Sequence, residues 1–255
     1  MPSASQRQRG SVVKANVVET IPRAYTRRGK QLLKEIWRSL NDPETLQNVE
    51  QLRDQIIFQA EEKTRGGKAV GLAGPAGGEG TSSLAILVGL MLSEFRHNRV
   101  LFVDGRLERK NFAVYHEMFG LTRNPLTYNN GCGFFQCYNT RNDNLCFLTP
   151  SAASRARSLE FFSAQEFARL TYELEESFNY VVFDMPPLLH SSETRMVLPG
   201  LDLFYLVTAA RRTTIADVLK CQRIISEVGG SIAGVILNKM KVPWLAALLA
   251  KEAFL

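Results

Sequence analysis

Six short, nearly continuous apolar runs recur along the chain, and most are separated by stretches in which apolar residues return every third or fourth position. The runs are Ala69-Val70-Gly71-Leu72-Ala73, Arg99 to Asp104, Asn144 to Leu148, Tyr180 to Asp184, Asp202 to Val207 and Ile232 to Leu237. Residues 31–63 carry a helical pattern broken near Asn41-Asp42-Pro43; beyond the break, Leu46, Val49, Leu52, Ile56 and Ile57 line one face until Gly66-Gly67. Helices are also predicted over Ser82–Phe95, Ala164–Phe178 and Thr214–Val228. The stretch 110–143 is the least regular and contains a turn cluster, Tyr128 to Gly133. Continuous apolar strands alternating with helices predict an α/β fold: a doubly wound, mostly parallel sheet with helices on both faces.

Charge changes the picture at the ends. The chain of 255 residues has a net charge of +6, and residues 1–30 account for all of it, with seven basic side chains and the single acid Glu19. The remainder balances 24 basic against 24 acidic groups. A basic folded surface for nucleic acid is therefore not expected. The reading is a basic, poorly ordered tail (1–30), an α/β domain with N-terminal helices (31–241) and an apolar C-terminal segment (242–255). The tail is a solvated leader or a contact for anionic lipid or an acidic partner. No secretory signal pattern or membrane-length apolar run is present, so a cytoplasmic location is expected. Cys132 and Cys137 are too loosely arranged for a zinc half-site, and no structural metal is expected.

The chemistry lies at strand ends. After the first strand comes Gly74-Pro75-Ala76-Gly77-Gly78-Glu79-Gly80-Thr81-Ser82-Ser83, then a helix. A glycine-rich loop opening a helix converges backbone N–H groups on phosphate. Such a loop ordinarily ends Gly-Lys-Ser/Thr, the lysine reaching the phosphates and the hydroxyl binding Mg²⁺. Here Thr81 stands in the lysine position and Ser82 keeps the hydroxyl. Asp104 ends the second strand, and Asp184 ends the fourth before Met185-Pro186-Pro187. Carboxylates at the C-terminal ends of parallel strands face the crevice where open α/β sheets bind ligands. Gly77 to Ser83 are read as nucleotide-binding, with Asp104 and Asp184 as ancestral catalytic positions. Ser82, Asp104 and Asp184 are the Mg²⁺ ligands if the metal binds.

Gly78-Glu79-Gly80, Val100 to Asp104, Tyr180 to Pro187 and Gly234-Val235-Ile236-Leu237-Asn238 together resemble the bacterial tyrosine-kinase (BY-kinase) domains, relatives of the MinD/ParA ATPases. The resemblance covers about residues 45–240. It implies a P-loop fold, ATP or ADP with Mg²⁺ as ligands, and Walker A, A′ and B motifs at the three phosphate-site segments. It also implies that Asn238 reads adenine, and that a membrane polysaccharide co-polymerase is the partner in capsule and exopolysaccharide export. Glu50 and Arg53 resemble the start of the family's self-association helix.

The departures cut against catalysis. Thr81 replaces the phosphate lysine, and Ala76 occupies the place of the additional signature lysine of MinD/ParA proteins. Asp104-Gly105-Arg106 replaces Asp-x-Asp, Ile56 replaces the last arginine of the oligomer helix, and the last tyrosine is Tyr205. The sequence resembles a pseudokinase. Arg106 either holds nucleotide phosphate in place of the lost lysine or points to solvent. The segment from Pro243, with Trp244, Leu245, Leu248, Leu249 and Phe254, either packs as a last helix or docks on a membrane partner or surface. The favoured reading is a catalytically impaired cytosolic subunit regulating exopolysaccharide polymerisation and export, peripheral at the inner membrane through its partner. A slow ATPase or autokinase and a MinD/ParA-type positioning ATPase are the alternatives.

Overall fold

The computed structural model describes residues 27–61, 66–105, 112–129, 134–150 and 164–240. Most of the basic tail, Arg106, Cys132 and the apolar segment after Met240 lie outside these residues. One eight-stranded sheet organises the rest, in the order β3-β4-β5-β2-β6-β1-β7-β8. Its strands are β1 (Lys68–Ala73), β2 (Val100–Asp104), β3 (Thr122–Asn129), β4 (Phe134–Asn139), β5 (Leu145–Pro150), β6 (Tyr180–Asp184), β7 (Leu203–Ala209) and β8 (Gly234–Asn238). The run from β5 to β8 is parallel throughout, and β3 and β4 extend it as an antiparallel edge. The six predicted strands are all present. The two extra ones fall in the irregular stretch.

Every residue of β1, β2, β6 and β7 is buried, which is why these strands read as unbroken apolar runs rather than alternating ones. One face is covered by α1 (Arg27–Leu40), α2 (Pro43–Glu61), α3 (Thr81–Ser93) and α4 (Phe112–Phe119); the other by α5 (Ala164–Glu175), α6 (Ser192–Val197) and α7 (Ile215–Glu227). α3 lies between the sheet and the α1–α2 pair, so nearly all of its residues are buried and it is apolar all round. α7 starts in a reciprocal cap: Thr214 Oγ1 accepts from the Asp217 N–H, and the Asp217 carboxylate accepts from the Thr214 N–H. Among the described residues no helix is long and apolar enough to cross a membrane.

At the N-terminal foot of the sheet, the Asp202 carboxylate accepts the Ala69 N–H at 2.9 Å, and Glu175 and Lys68 stand beside it. Burial, then the charge of Asp202, raise Glu175 to a pKa of about 7. A carboxyl that titrates higher folded than unfolded stabilises the fold below its ordinary pKa, and that contribution is lost as pH rises through the folded value. Thermal stability is therefore expected to fall between about pH 5 and pH 8, and Glu175→Gln to flatten that slope in melting curves taken across the range. An unchanged slope would assign the pH dependence to other groups.

Candidate nucleotide site

The residues from Gly74 to Gly80 link β1 to α3 at the C-terminal edge of the sheet. Gly77, Gly78 and Gly80 have φ of 95°, 86° and 89°, a region closed to most side chains, so the turn depends on glycine. Gly80 is the N-terminal cap of α3, and no side chain among the described residues caps that end. The first-turn N–H groups of a helix are the kind of donors that anions meet. Thr81 and Ser82, at 2% and 8% exposure, are buried in the same turn. Ser83 Oγ donates to Glu35 on α1 at 3.2 Å, which turns that hydroxyl toward the helical layer.

Asp104 and Asp184 are register partners on β2 and β6. Phe102 and Val182, two residues earlier on each strand, belong to the α3-side core, so both carboxylates project to the face that carries α3. Both are buried, at 2% and 0% exposure. The chain after Asp184 is laced to the loop: Met185 N–H donates to Leu72 O, Leu188 N–H to Gly74 O and Leu189 N–H to Pro75 O, at 2.9, 2.9 and 3.0 Å. β2 and β6 thus set Asp104 and Asp184 side by side, and Ser82 is buried in the first turn of α3, which packs on the same face; all three offer oxygen donors of the kind Mg²⁺ takes. With the uncapped helix end, these residues fit a nucleotide phosphate and its metal.

Glu79 folds back onto its own loop. Its Oε1 accepts the N–H groups of Ala76 and Gly77 at 3.1 and 3.0 Å, and its Oε2 is buried with no hydrogen-bond partner. A Cβ on Gly74 would collide with this carboxylate, so the glycine is what lets the loop fold over its own acid.

From outside, three side chains hold the loop. Asn238 Nδ2 donates to Glu79 O at 2.8 Å, Lys239 Nζ to Gly78 O at 3.0 Å and Arg212 Nη1 to Gly78 O at 3.3 Å. A Cβ on Gly78 would strike the Arg212 guanidinium. Lys239 and Arg211, the neighbour of Arg212, have left-handed backbones, with φ of 58° and 62°. Arg212 and Lys239 escaped the reading of the sequence, although each follows the C-terminal end of a parallel strand, where the crevice lies. Arg106 lies outside the described residues. Glu50 is exposed, while Arg53 pairs with Asp54 and Glu94 and stacks over Phe95, so the arginine is committed within its own chain.

No protein-family model matches the chain. It is similar to the putative tyrosine-protein kinase CapB of Staphylococcus aureus, with 25% identity over 148 residues. That match takes in 56% of this chain and 63% of CapB, so the chain spans less than two thirds of that relative. The chimerical protein CapA2B2 shares the fold, with a TM-score of 0.62, 20% identity, and coverage of 79% of this chain and 87% of that one. The septum site-determining protein MinD complexed with Mg-ADP, from Pyrococcus horikoshii OT3, does so at a TM-score of 0.51 and 18% identity, over 71% of this chain and 76% of its own. The chain thus resembles bacterial tyrosine-protein kinases and has the P-loop-type α/β fold of BY-kinase domains and MinD.

Proposed function

We propose that the chain is a catalytically impaired, tyrosine-kinase-like subunit that binds nucleotide and regulates exopolysaccharide polymerisation and export through a membrane co-polymerase partner. Its similarity to CapB supports the system, and its likeness in fold to the chimerical protein CapA2B2 supports a co-polymerase as the partner. Attachment through that partner would hold it at the cytoplasmic face of the membrane, with the segment from Pro243 as the candidate contact and the α2 face around Glu50 for self-association.

The observation that carries the impairment is Thr81. It occupies the lysine position at the start of α3, buried and too short to reach across the loop as an ammonium would. The backbone N–H groups of the loop and the first turn of α3 would hold the phosphates, and Ser82, Asp104 and Asp184 would hold Mg²⁺. The metal, when bound, supplies charge neutralisation at the phosphate oxygens. Asn238, fixed by its bond to Glu79 O, would stand at the rim for the base. The charge that develops on a transferring phosphoryl group lacks its usual ammonium, and losing one well-placed donor costs about 10²–10³ in rate.

Purified protein incubated with Mg²⁺ and ATP is therefore expected to gain no phosphotyrosine on an immunoblot, while still binding ATP in calorimetry. A specific observation favours one competitor, a slow kinase or ATPase: Arg212 and Lys239 bring two cations against Gly78. Phosphotyrosine that appears with ATP and disappears in Asp104→Ala would establish that competitor.

A further inference from the structure

At the opposite, antiparallel side of the sheet, β4 and β5 bring two cysteines together. Cys137 lies opposite Leu148, and Cys146 opposite Asn139. Side chains two apart on a strand share a face, so Cys137 and Cys146 are diagonal neighbours on one side of the sheet. Both pack with the core beneath α5 and α6. Cys137 is fully buried; Cys146 is half-buried, with its sulfur 3.8 Å from Asn139 Oδ1. The two thiols influence each other's ionisation, and Arg99, whose guanidinium lies over the Phe178 ring, adds positive charge beside them.

The pair is chemically unequal. The neighbouring Cys137 thiol holds the Cys146 thiol below its usual range, assisted by Arg99 against the effect of burial. The neighbouring Cys146, and burial, push Cys137 up. Thiolate character and access make a cysteine react, and an adjacent thiol resolves the product. Cys221 offers the contrast: it is buried, and burial pushes it up to about 11.

We propose that Cys137 and Cys146 are a redox modification site, closing to a reversible intrachain disulfide when the protein meets a peroxide. The Cys146 thiolate attacks one peroxide oxygen; the O–O bond breaks, hydroxide leaves, and Cys146 becomes a sulfenic acid. The Cys137 sulfur then attacks the Cys146 sulfur. The S–S bond forms, the sulfenic oxygen leaves as hydroxide, and the Cys137 proton is taken up to make water. Two thiols are oxidised and one peroxide is reduced to two waters. Diagonal residues in an antiparallel pair stand about 7–8 Å apart at Cα, against about 4.4–6.8 Å for a disulfide, so closure shears β4 along β5. A strained bond of that kind is readily opened again by thiols.

The test treats the full chain with hydrogen peroxide, blocks remaining thiols and maps the peptides by mass spectrometry. The expected product is a Cys137–Cys146 crosslink, two hydrogens lighter than the reduced peptides and lost on adding dithiothreitol. Cys146→Ser should abolish it. Cys137→Ser should leave a sulfenic acid at Cys146 that dimedone traps, and Cys132→Ser should leave the crosslink intact. Cys146 should oxidise at least about ten times faster than Cys221. The proposal is overturned if Cys146 in the wild-type chain is no faster than Cys221, or if its crosslink runs to Cys132 or to a second molecule.

Discussion

Glu79→Gln is expected to tighten ATP binding about tenfold, a change of about 1.4 kcal/mol, while leaving the melting temperature nearly unchanged. The wild-type loop folds over its own carboxylate, which is 2% exposed and has one oxygen without a hydrogen-bond partner. A negative charge inside a phosphate cradle opposes the ligand. At an effective dielectric near 20, two like unit charges about 4 Å apart repel by about 4 kcal/mol, an amount that falls with separation and with screening by ions. Glutamine retains an oxygen for the Ala76 and Gly77 N–H groups and removes the charge. Glu79→Ala separates the two roles: it also removes the acceptor, and hydrogen bonds to a charged group are worth about 1.5–3 kcal/mol. That variant should melt several degrees lower. Calorimetry with ATP and a thermal melt on both variants provide the check. Equal affinity in Glu79→Gln and wild type would place the phosphates beyond the reach of this charge.

Gly80→Ala is expected to abolish measurable ATP binding and to destabilise the domain by about 2–4 kcal/mol. Gly80 has a left-handed backbone, and a Cβ there would lie 2.5 Å from Asn238 Nδ2 and 3.3 Å from Lys239 Cε. The strain is one part of the cost; loss of the Asn238 bond to Glu79 O is the other. Combining Gly80→Ala with Asn238→Ala removes the collision but not the strain. Urea unfolding of the two single variants and the double should give a coupling of about 1 kcal/mol. Purely additive costs would mean that the asparagine does not constrain the glycine.

The parallel half of the sheet was legible because burial on both faces leaves an unmistakable mark: Tyr180 to Asp184 and Leu203 to Val207 hold hardly a polar residue. β3 left no such mark. Thr122-Arg123-Asn124-Pro125-Leu126-Thr127-Tyr128-Asn129 is an edge strand paired on one side, with a register irregularity between Arg123 and Thr127, and an edge tolerates proline and polar residues. β4 was hidden for a related reason, since Gln136 and Asn139 interrupt its apolar side chains. The candidate phosphate loop, Ser82, Asp104 and Asp184 stand out in the sequence because each belongs to a local strand-to-loop pattern. Arg212 and Lys239 could not be tied to Gly78 that way, since only the sheet order places β7 next to β1 and β8 just beyond it. Glu79 shows the complementary limit. Position in a loop does not say which way a side chain turns, and here the bare Cα of Gly74 decides it.

The ties from Arg212, Asn238 and Lys239 to the loop also set an order of assembly. They span 134, 159 and 161 residues. Contacts so distant along the chain bear the full entropy of loop closure and form late. During synthesis, β1 and the loop after it emerge long before β7 and β8, at about 5–20 residues per second. For about 7–27 seconds at that pace, the time to add the 134 residues from Gly78 to Arg212, the nascent loop has its glycines and its internal acid but none of its outer braces. A ribosome-bound chain stalled before Arg212 would therefore carry an unfinished cradle. Nucleotide could protect the loop from protease only once Lys239 has left the exit tunnel.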